Sequence, residues 1–188
     1  MTSIKKRVCP ATASWTLDNF FRTIIHSPAR ILGPSVRPGD TVLDIGCGSG
    51  FFTRAMARMV GNDGMVIAVD LQEEMLAKVR ERAGREGLLP RIRTVKAAER
   101  SLNIATAIQA DFALAFYVMH EVQDKERLLR EVANALMPGG TLLLVEPKIH
   151  VSAKEFRVTV GLAQHAGFRV ISRPFILFSR AVLLEKVG

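Results

Sequence analysis

Short apolar runs alternate along the chain with segments whose apolar residues recur at helical spacing. The runs at 41–45 and 64–70 are rich in Val, Ile and Leu, which is typical of buried parallel strands. The predicted strands are 41–45, 64–70, 91–97, 110–117, 141–146, 168–178 and 180–186, and the predicted helices are 51–60, 73–87, 125–136 and 152–166. The last two strands follow so closely that they must be antiparallel. The pattern therefore predicts an α/β fold with a mostly parallel sheet and helices on both faces.

The first strand ends in an acid and is followed by glycines at alternate positions, Gly46, Gly48 and Gly50. Residues without a Cβ allow the backbone to turn tightly and let a ligand lie against it. Helical spacing resumes at Phe51, so the free N–H groups of a helix start point to the same place. This strand, turn and helix predict a nucleotide-type crevice, and a bland glycine-rich connection is the alternative.

The residues around the turn argue against two common phosphate ligands. A dinucleotide fingerprint needs a glycine at the sixth position, which is Phe51 here, and a phosphate-binding loop needs a lysine after the glycines. The Asp44 carboxylate would repel a pyrophosphate but suits a ligand that carries an amine and a sulfonium. The turn therefore favours a cationic, adenosine-type ligand.

The pattern Asp44-x-Gly46-x-Gly48-x-Gly50 resembles motif I of the class I S-adenosylmethionine (SAM) methyltransferases. Over about residues 38–186 the chain is most similar to the ubiquinone/menaquinone-biosynthesis-like small-molecule methyltransferases. The segments that carry the resemblance are 42–50, 69–71, 75–76, 120–122 and 138–142. The resemblance implies a Rossmann-like three-layer α/β/α sandwich, a mostly parallel seven-stranded sheet with a C-terminal antiparallel strand, SAM as cofactor and S-adenosylhomocysteine as product.

The resemblance also implies a set of cofactor-binding residues. Asp70 ends the second strand, where its carboxylate can accept both ribose hydroxyls; a helix cap is the alternative. Leu71 and Met75 would form the apolar wall for the adenine, or belong to the core. The usual Asp of the third strand corresponds to Ala97, so we expect weaker adenine recognition. The implied contacts are Asp44, Gly46, the Cys47 N–H, Gly48, Gly50, Asp70, Leu71, Met75, Ala98 (through its backbone), Glu99 and Tyr117.

Two residues near the end of the fourth strand are catalytic candidates. His120 resembles a histidine of the small-molecule branch and could take a proton from the acceptor, since its ordinary pKa lies near neutrality. Tyr117 would support the sulfonium with its ring or carbonyl. A structural histidine and a core tyrosine are the alternatives. The chain lacks the Asn/Asp-Pro-Pro-Tyr/Phe motif at this place, which argues against methylation of base amino groups.

Length and composition fit one domain, with 188 residues, of which 48% are hydrophobic. No apolar run approaches a membrane span, and no apolar stretch follows the basic residues at 5–7 as in a signal peptide. Two cysteines provide neither a disulfide framework nor a metal site, so we expect no metal and a cytoplasmic protein.

The net charge of +8 leaves RNA or protein as alternative acceptors, which basic residues clustered on the face of Tyr117 and Lys148 would favour. A SAM-binding protein without transfer activity is a further alternative. We expect residues 1–37 to form a helical lid segment, with a helix at 14–25, over a SAM-binding domain at 38–188. An open lid would leave apolar surface for a homodimer.

Overall fold

A seven-stranded sheet with helices on both faces forms the protein. The computed structural model describes residues 27–105 and 107–188, so the predicted helix at 14–25 lies outside the described residues. The strands are β1 (Thr41–Ile45), β2 (Met65–Asp70), β3 (Ile92–Lys96), β4 (Ala110–Phe116), β5 (Leu136–Pro147), β6 (Phe168–Ser172) and β7 (Ser179–Lys186). The helices are α1 (Pro28–Leu32), α2 (Phe51–Met59), α3 (Glu73–Arg85), α4 (Lys125–Ala135) and α5 (Ala153–His165), with a short 3₁₀ turn at Leu89–Arg91.

The strand order is β3-β2-β1-β4-β5-β7-β6. Strands β1 to β5 are parallel, and β7 runs antiparallel to both of its neighbours, β5 and β6. The chain runs from β1 through β2 to β3 on one side and then crosses to β4 on the other side of β1, so β1 and β4 flank the topological switch point. Ligands of open α/β sheets bind at the carboxyl edge of such a point. The predicted Rossmann-like architecture with an antiparallel C-terminal strand is confirmed.

Side chains of β1 alternate between two apolar layers. Leu43 and Ile45 belong to the cluster that includes Leu129 of α4 and Phe156 of α5. Val42 belongs to the opposite cluster, which contains residues of α1 and α2. A strand buried on both faces explains the nearly continuous apolar sequence of this segment. Because Leu32 of α1 is fully buried in the same cluster as Val42, part of the predicted lid segment contributes to the core.

The observed boundaries differ from the predicted ones where strand pairing outweighs the local sequence. The turn predicted after α4 at 137–140 is instead part of β5, because Leu136 already pairs with Ala110 across a register shift. The strand predicted to run to residue 178 ends at Ser172, and Pro174 follows in an irregular stretch. Proline cannot donate a hydrogen bond to a neighbouring strand, which accounts for the early end.

Candidate active site

The glycine turn joins β1 to α2 through backbone in the left-handed region. Gly46, Gly48 and Gly50 have φ values of +67°, +52° and +85°. A Cβ on Gly46 would lie 2.6 Å from Cγ2 of Val118, so this glycine is needed for packing. A Cβ on Gly48 would meet nothing within 4 Å. Gly48 therefore borders open space, and that space is available to a ligand.

Asp70 connects the end of β2 to this turn. Its Oδ2 accepts a hydrogen bond from Gly48 N at 2.8 Å, and its Oδ1 accepts one from Gln72 N at 2.9 Å. The second bond lies just before α3, whose N-cap is Gln72 without a side-chain cap, so Asp70 does not cap the helix as the alternative had it. Each carboxylate oxygen has a further lone pair, and the residue is half-buried. The carboxylate can therefore hold the turn and still accept hydroxyl groups from a ligand.

Asp44 lies beneath the turn, whereas the sequence assigned its carboxylate to the ligand. Its side chain is 3% exposed, and Thr53 Oγ1 of α2 donates a hydrogen bond to its Oδ2 at 2.5 Å. Alternation along β1 directs this side chain toward the layer that contains α2. In this position Asp44 anchors the start of α2 to the strand.

Cys47 contributes to the turn as a small buried residue. Its N–H donates to Val69 O at 3.0 Å and so is not aimed at a ligand, in contrast to the sequence-based expectation. Burial raises the pKa of the Cys47 thiol far above its usual range, and the Asp44 and Asp70 carboxylates raise that pKa further. Burial and these two charges therefore favour the thiol over the thiolate, which is the nucleophilic form.

The predicted adenine wall lies at the ends of β2 and β3. Leu71 is 44% exposed, whereas Met75 is 6% exposed and therefore mostly covered. Ala98 and Glu99 are exposed, but the Ala98 N–H donates to Ser101 O at 2.8 Å. That bond occupies the backbone donor that the sequence assigned to the adenine edge. Leu71 is thus the most accessible apolar surface of the predicted set.

His120 follows β4 and is paired with a carboxylate that the sequence analysis did not identify. Glu146, near the end of β5, places Oε2 2.7 Å from His120 Nδ1 and accepts a hydrogen bond from Met119 N on Oε1 at 3.0 Å. The Glu146 side chain is 2% exposed. A carboxylate acceptor favours the tautomer with hydrogen on Nδ1, which leaves the Nε2 lone pair for a substrate proton. Glu146 could have been found as an acid that ends an apolar strand, as Asp70 does.

The environment of His120 changes its titration. The hydrogen bond with Glu146 raises the pKa of His120 above its ordinary value of 6.5, while burial opposes this effect. The His150 ring stacks on the His120 ring with a centroid distance of 5.8 Å. The histidine is therefore oriented by a hydrogen-bonded carboxylate and by a second ring.

Tyr117 occupies a strained position immediately after β4. Its φ is +62°, which is rare for a residue with a Cβ, and its N–H donates to Val145 O at 2.8 Å. Its hydroxyl lies 2.5 Å from Ser179 Oγ, and its ring packs on Phe116 with centroids 4.4 Å apart. Such backbone strain clusters at functional sites. The ring is partly core, as the alternative predicted, and the backbone turns at the carboxyl edge.

Two largely exposed segments lie beside His120 and Tyr117: the connection after β5 (residues 148–152) and the stretch before β7 (residues 173–178). Together they are called the lip. Lys148 N donates to Phe178 O at 3.0 Å, which ties the connection to the stretch before β7. Ile149, Leu177 and Phe178 are exposed there.

Among the described residues, no group of His, Cys, Asp and Glu could hold a metal ion. None of the described helices has the length and apolar character of a membrane span.

Comparisons with known proteins agree with this geometry. Residues 42–140, more than half of the chain, match the family model described as a methyltransferase domain. The ubiquinone/menaquinone biosynthesis C-methyltransferase UbiE of Legionella pneumophila (strain Corby) is 37% identical over 111 residues, which are 59% of this chain and 44% of that relative. UbiE of Enterobacter sp. (strain 638) is 36% identical over 115 residues, with the same coverage. The chain thus spans less than half the length of these relatives.

Solved structures of SAM-dependent methyltransferases superpose on this chain. A SAM-dependent methyltransferase from Aquifex aeolicus superposes with a TM-score of 0.81 at 25% identity, covering 95% of this chain and 99% of that one. A TehB-like SAM-dependent methyltransferase from Corynebacterium glutamicum shares the fold, with a TM-score of 0.71 at 17% identity and 94% of both chains covered. The chain belongs to the methyltransferase-domain family, within the class I SAM-dependent methyltransferases, and is related to UbiE.

Proposed function

We propose that this chain transfers a methyl group from SAM to a small-molecule acceptor. The observation that carries the proposal is the hydrogen bond from Gly48 to Asp70 beside open space, at the carboxyl edge that also carries His120. A backbone turn bonded to an acid at the switch point is suited to an adenosine ligand. Family membership and the similarity to the Aquifex aeolicus methyltransferase support the same assignment.

The residues present fit SAM. The space at Gly48 admits a ligand against the backbone, the free lone pairs of Asp70 suit the ribose hydroxyls, and exposed Leu71 suits the adenine face. When bound, SAM supplies a methyl group on a sulfonium, which is a good leaving group. Protein groups then need mainly to align the acceptor, and such positioning can contribute about 7–11 kcal/mol.

His120 acts as the general base in this proposal. Glu146 holds Nδ1–H, so Nε2 can take a proton from an acceptor whose nucleophilic atom still carries one. Glu146 is a positioning residue, because it acts through the histidine. The relatives' name, C-methyltransferase, describes transfer to carbon in those proteins. A carbon or hydroxyl acceptor needs such a base, and we propose this class for the chain.

The lip favours a small acceptor with an apolar body. Ile149 is 84% exposed and Phe178 is 62% exposed, and both lie next to Lys148 on the face that would carry a bound RNA or protein. Four arginines instead line a separate cleft between α2 and α3. This arginine cluster lies away from the face of Tyr117 and Lys148, so it does not favour a macromolecular acceptor there. A homodimer and a cytoplasmic location stay predictions.

One variant and one matched control test the proposal. His120→Gln should retain SAM affinity in calorimetry and lose formation of S-adenosylhomocysteine with a panel of phenolic, enolic and carbon-acid acceptors. His165→Gln is the matched control, because that exposed histidine bonds to the Gly161 carbonyl of its own helix, away from the candidate site. Absence of SAM binding at millimolar ligand contradicts the proposal. Equal turnover in both variants would remove the base assignment alone.

A further inference from the structure

A basic cleft lies between α2 and α3, apart from the site described above. Its cavity measures about 520 Å³, and neither Gly48 nor Asp70 lines it. The charged side chains around it are Arg54, Arg58, Arg82, Arg85 and Glu86. Ligand pockets typically have volumes of about 300–1,000 Å³, so the cavity can hold a small molecule.

The cleft contains more positive than negative charge. Glu86 accepts hydrogen bonds from both Arg54 and Arg58. Arg85 pairs with Glu81 of its own helix at 2.5 Å. Arg82 has no carboxylate partner among the residues that the structure describes. Four guanidinium groups thus share two carboxylates, and an anion in the cleft would relieve their repulsion.

Two of the four arginines are held in place by the glycine turn. Arg82 Nη1 donates to Ser49 Oγ at 2.9 Å, and Arg54 Nε donates to Gly50 O at 3.2 Å. The Arg54 side chain is 17% exposed, so it is fixed from several sides. Side chains that are fixed before binding lose little freedom when a ligand arrives. The cleft is therefore a prearranged cationic surface.

We propose that this cleft binds a small phosphate-bearing ligand, at a site separate from the SAM site. Guanidinium groups match phosphate oxygens with paired N–H donors, and they keep their charge at all physiological pH values. Phe51 and Ala55 add apolar surface for the remainder of such a molecule. The cleft is open to solvent on one side, and its volume suits a discrete small ligand. The proposal holds whether or not the chain transfers methyl groups.

Calorimetry with inorganic pyrophosphate at fixed ionic strength tests the site in the whole chain. Arg58→Gln and Arg85→Gln should each weaken pyrophosphate by about tenfold or more, the scale of one charged hydrogen bond. Both side chains are exposed and neither contacts the glycine turn, so folding should persist, which circular dichroism checks. Arg130→Gln is the matched control, because Arg130 on α4 pairs with Glu126 as Arg85 does with Glu81.

Three results would overturn the proposal. The first is no pyrophosphate binding at millimolar concentration, and the second is equal weakening in Arg130→Gln, which would indicate a net-charge effect alone. The third concerns the source of the phosphate. If a single-stranded RNA of about ten nucleotides binds and loses affinity in Arg58→Gln while pyrophosphate does not bind, the cleft contacts a polymer backbone and not a discrete ligand.

Discussion

A methyl group added at Gly48 would test the ligand site with little other change. Gly48 has φ +52°, and a Cβ there meets nothing within 4 Å. Gly48→Ala should therefore cost only the left-handed backbone penalty, about 1–2 kcal/mol of the free energy of unfolding. Gly87 is a matched control, with φ +67° and nothing within 4 Å of its Cβ. Gly87→Ala should be destabilised by a similar amount, as measured by urea unfolding.

The two variants should differ in SAM affinity. The new methyl group at Gly48 enters the space beside Asp70 that the proposed ligand would fill, whereas the one at Gly87 does not. Crowding of this kind costs about 1–3 kcal/mol, which corresponds to a SAM dissociation constant roughly 5–150-fold higher. Gly87→Ala should bind SAM like the unaltered chain.

Calorimetry on the folded variants, at a temperature where unfolding is negligible, measures this difference directly. Wild-type SAM affinity in Gly48→Ala would refute the reasoning, because the turn would then not be the binding surface. A similar loss of affinity in Gly87→Ala would also contradict it, since the loss would come from general destabilisation.

Three other substitutions have defined outcomes. Asp70→Ala should weaken SAM by roughly 1.5–3 kcal/mol in calorimetry, and an unchanged dissociation constant would show that the ribose is held elsewhere. If neutral His120 is the base, kcat/KM should rise with pH, with a midpoint above pH 6.5. Glu146→Gln should move this midpoint to lower pH, because the substitution removes the carboxylate that raises the pKa of His120. By linkage, this raised pKa stabilises the fold below pH 6.5, and the stabilisation is lost as pH rises through the folded-state pKa. Thr53→Val should lower the free energy of unfolding by about 1–3 kcal/mol, because it leaves buried Asp44 without that hydroxyl donor; Thr53→Ser should retain most of the stability, and equal urea midpoints would contradict this.

Elements with a complete local signal were predicted well from the sequence. The strand at 41–45 coincides with β1, and the helix at 73–87 contains α3, Glu73–Arg85, because buried runs and helical spacing are local properties. The stretches at 136–140 and 173–178 were not predicted correctly. The conformation at 136–140 depends on the pairing of Leu136 with Ala110, which is distant in sequence, and no local pattern encodes that partner. The strand before 173–178 was predicted too long because Pro174, a local strand-ending signal, was not taken into account.

The candidate site also combines features that are encoded locally with features that depend on residues distant in sequence. The glycine turn and Asp70 are recognisable because the motif is nearly contiguous. Glu146 was missed because it lies 26 positions from His120, and the two meet only because β4 and β5 are neighbours in the sheet. The burial of Asp44 was also unpredictable, since it depends on the packing of α2 and on the Thr53 hydroxyl.

The hydrogen bonds of Glu146 have a consequence for how such a protein can diversify. One carboxylate holds both the Met119 N–H and the His120 ring from within the sheet, so this part of the framework is assembled by folding itself. Ile149 and Phe178, in contrast, lie on exposed segments that carry little of the core. If His120 is the base that we propose, exchanging those exposed side chains would redirect the chain to other acceptors while the Glu146–His120 hydrogen bond is kept. Under that proposal, most of the selectivity lies outside the sheet that holds the base.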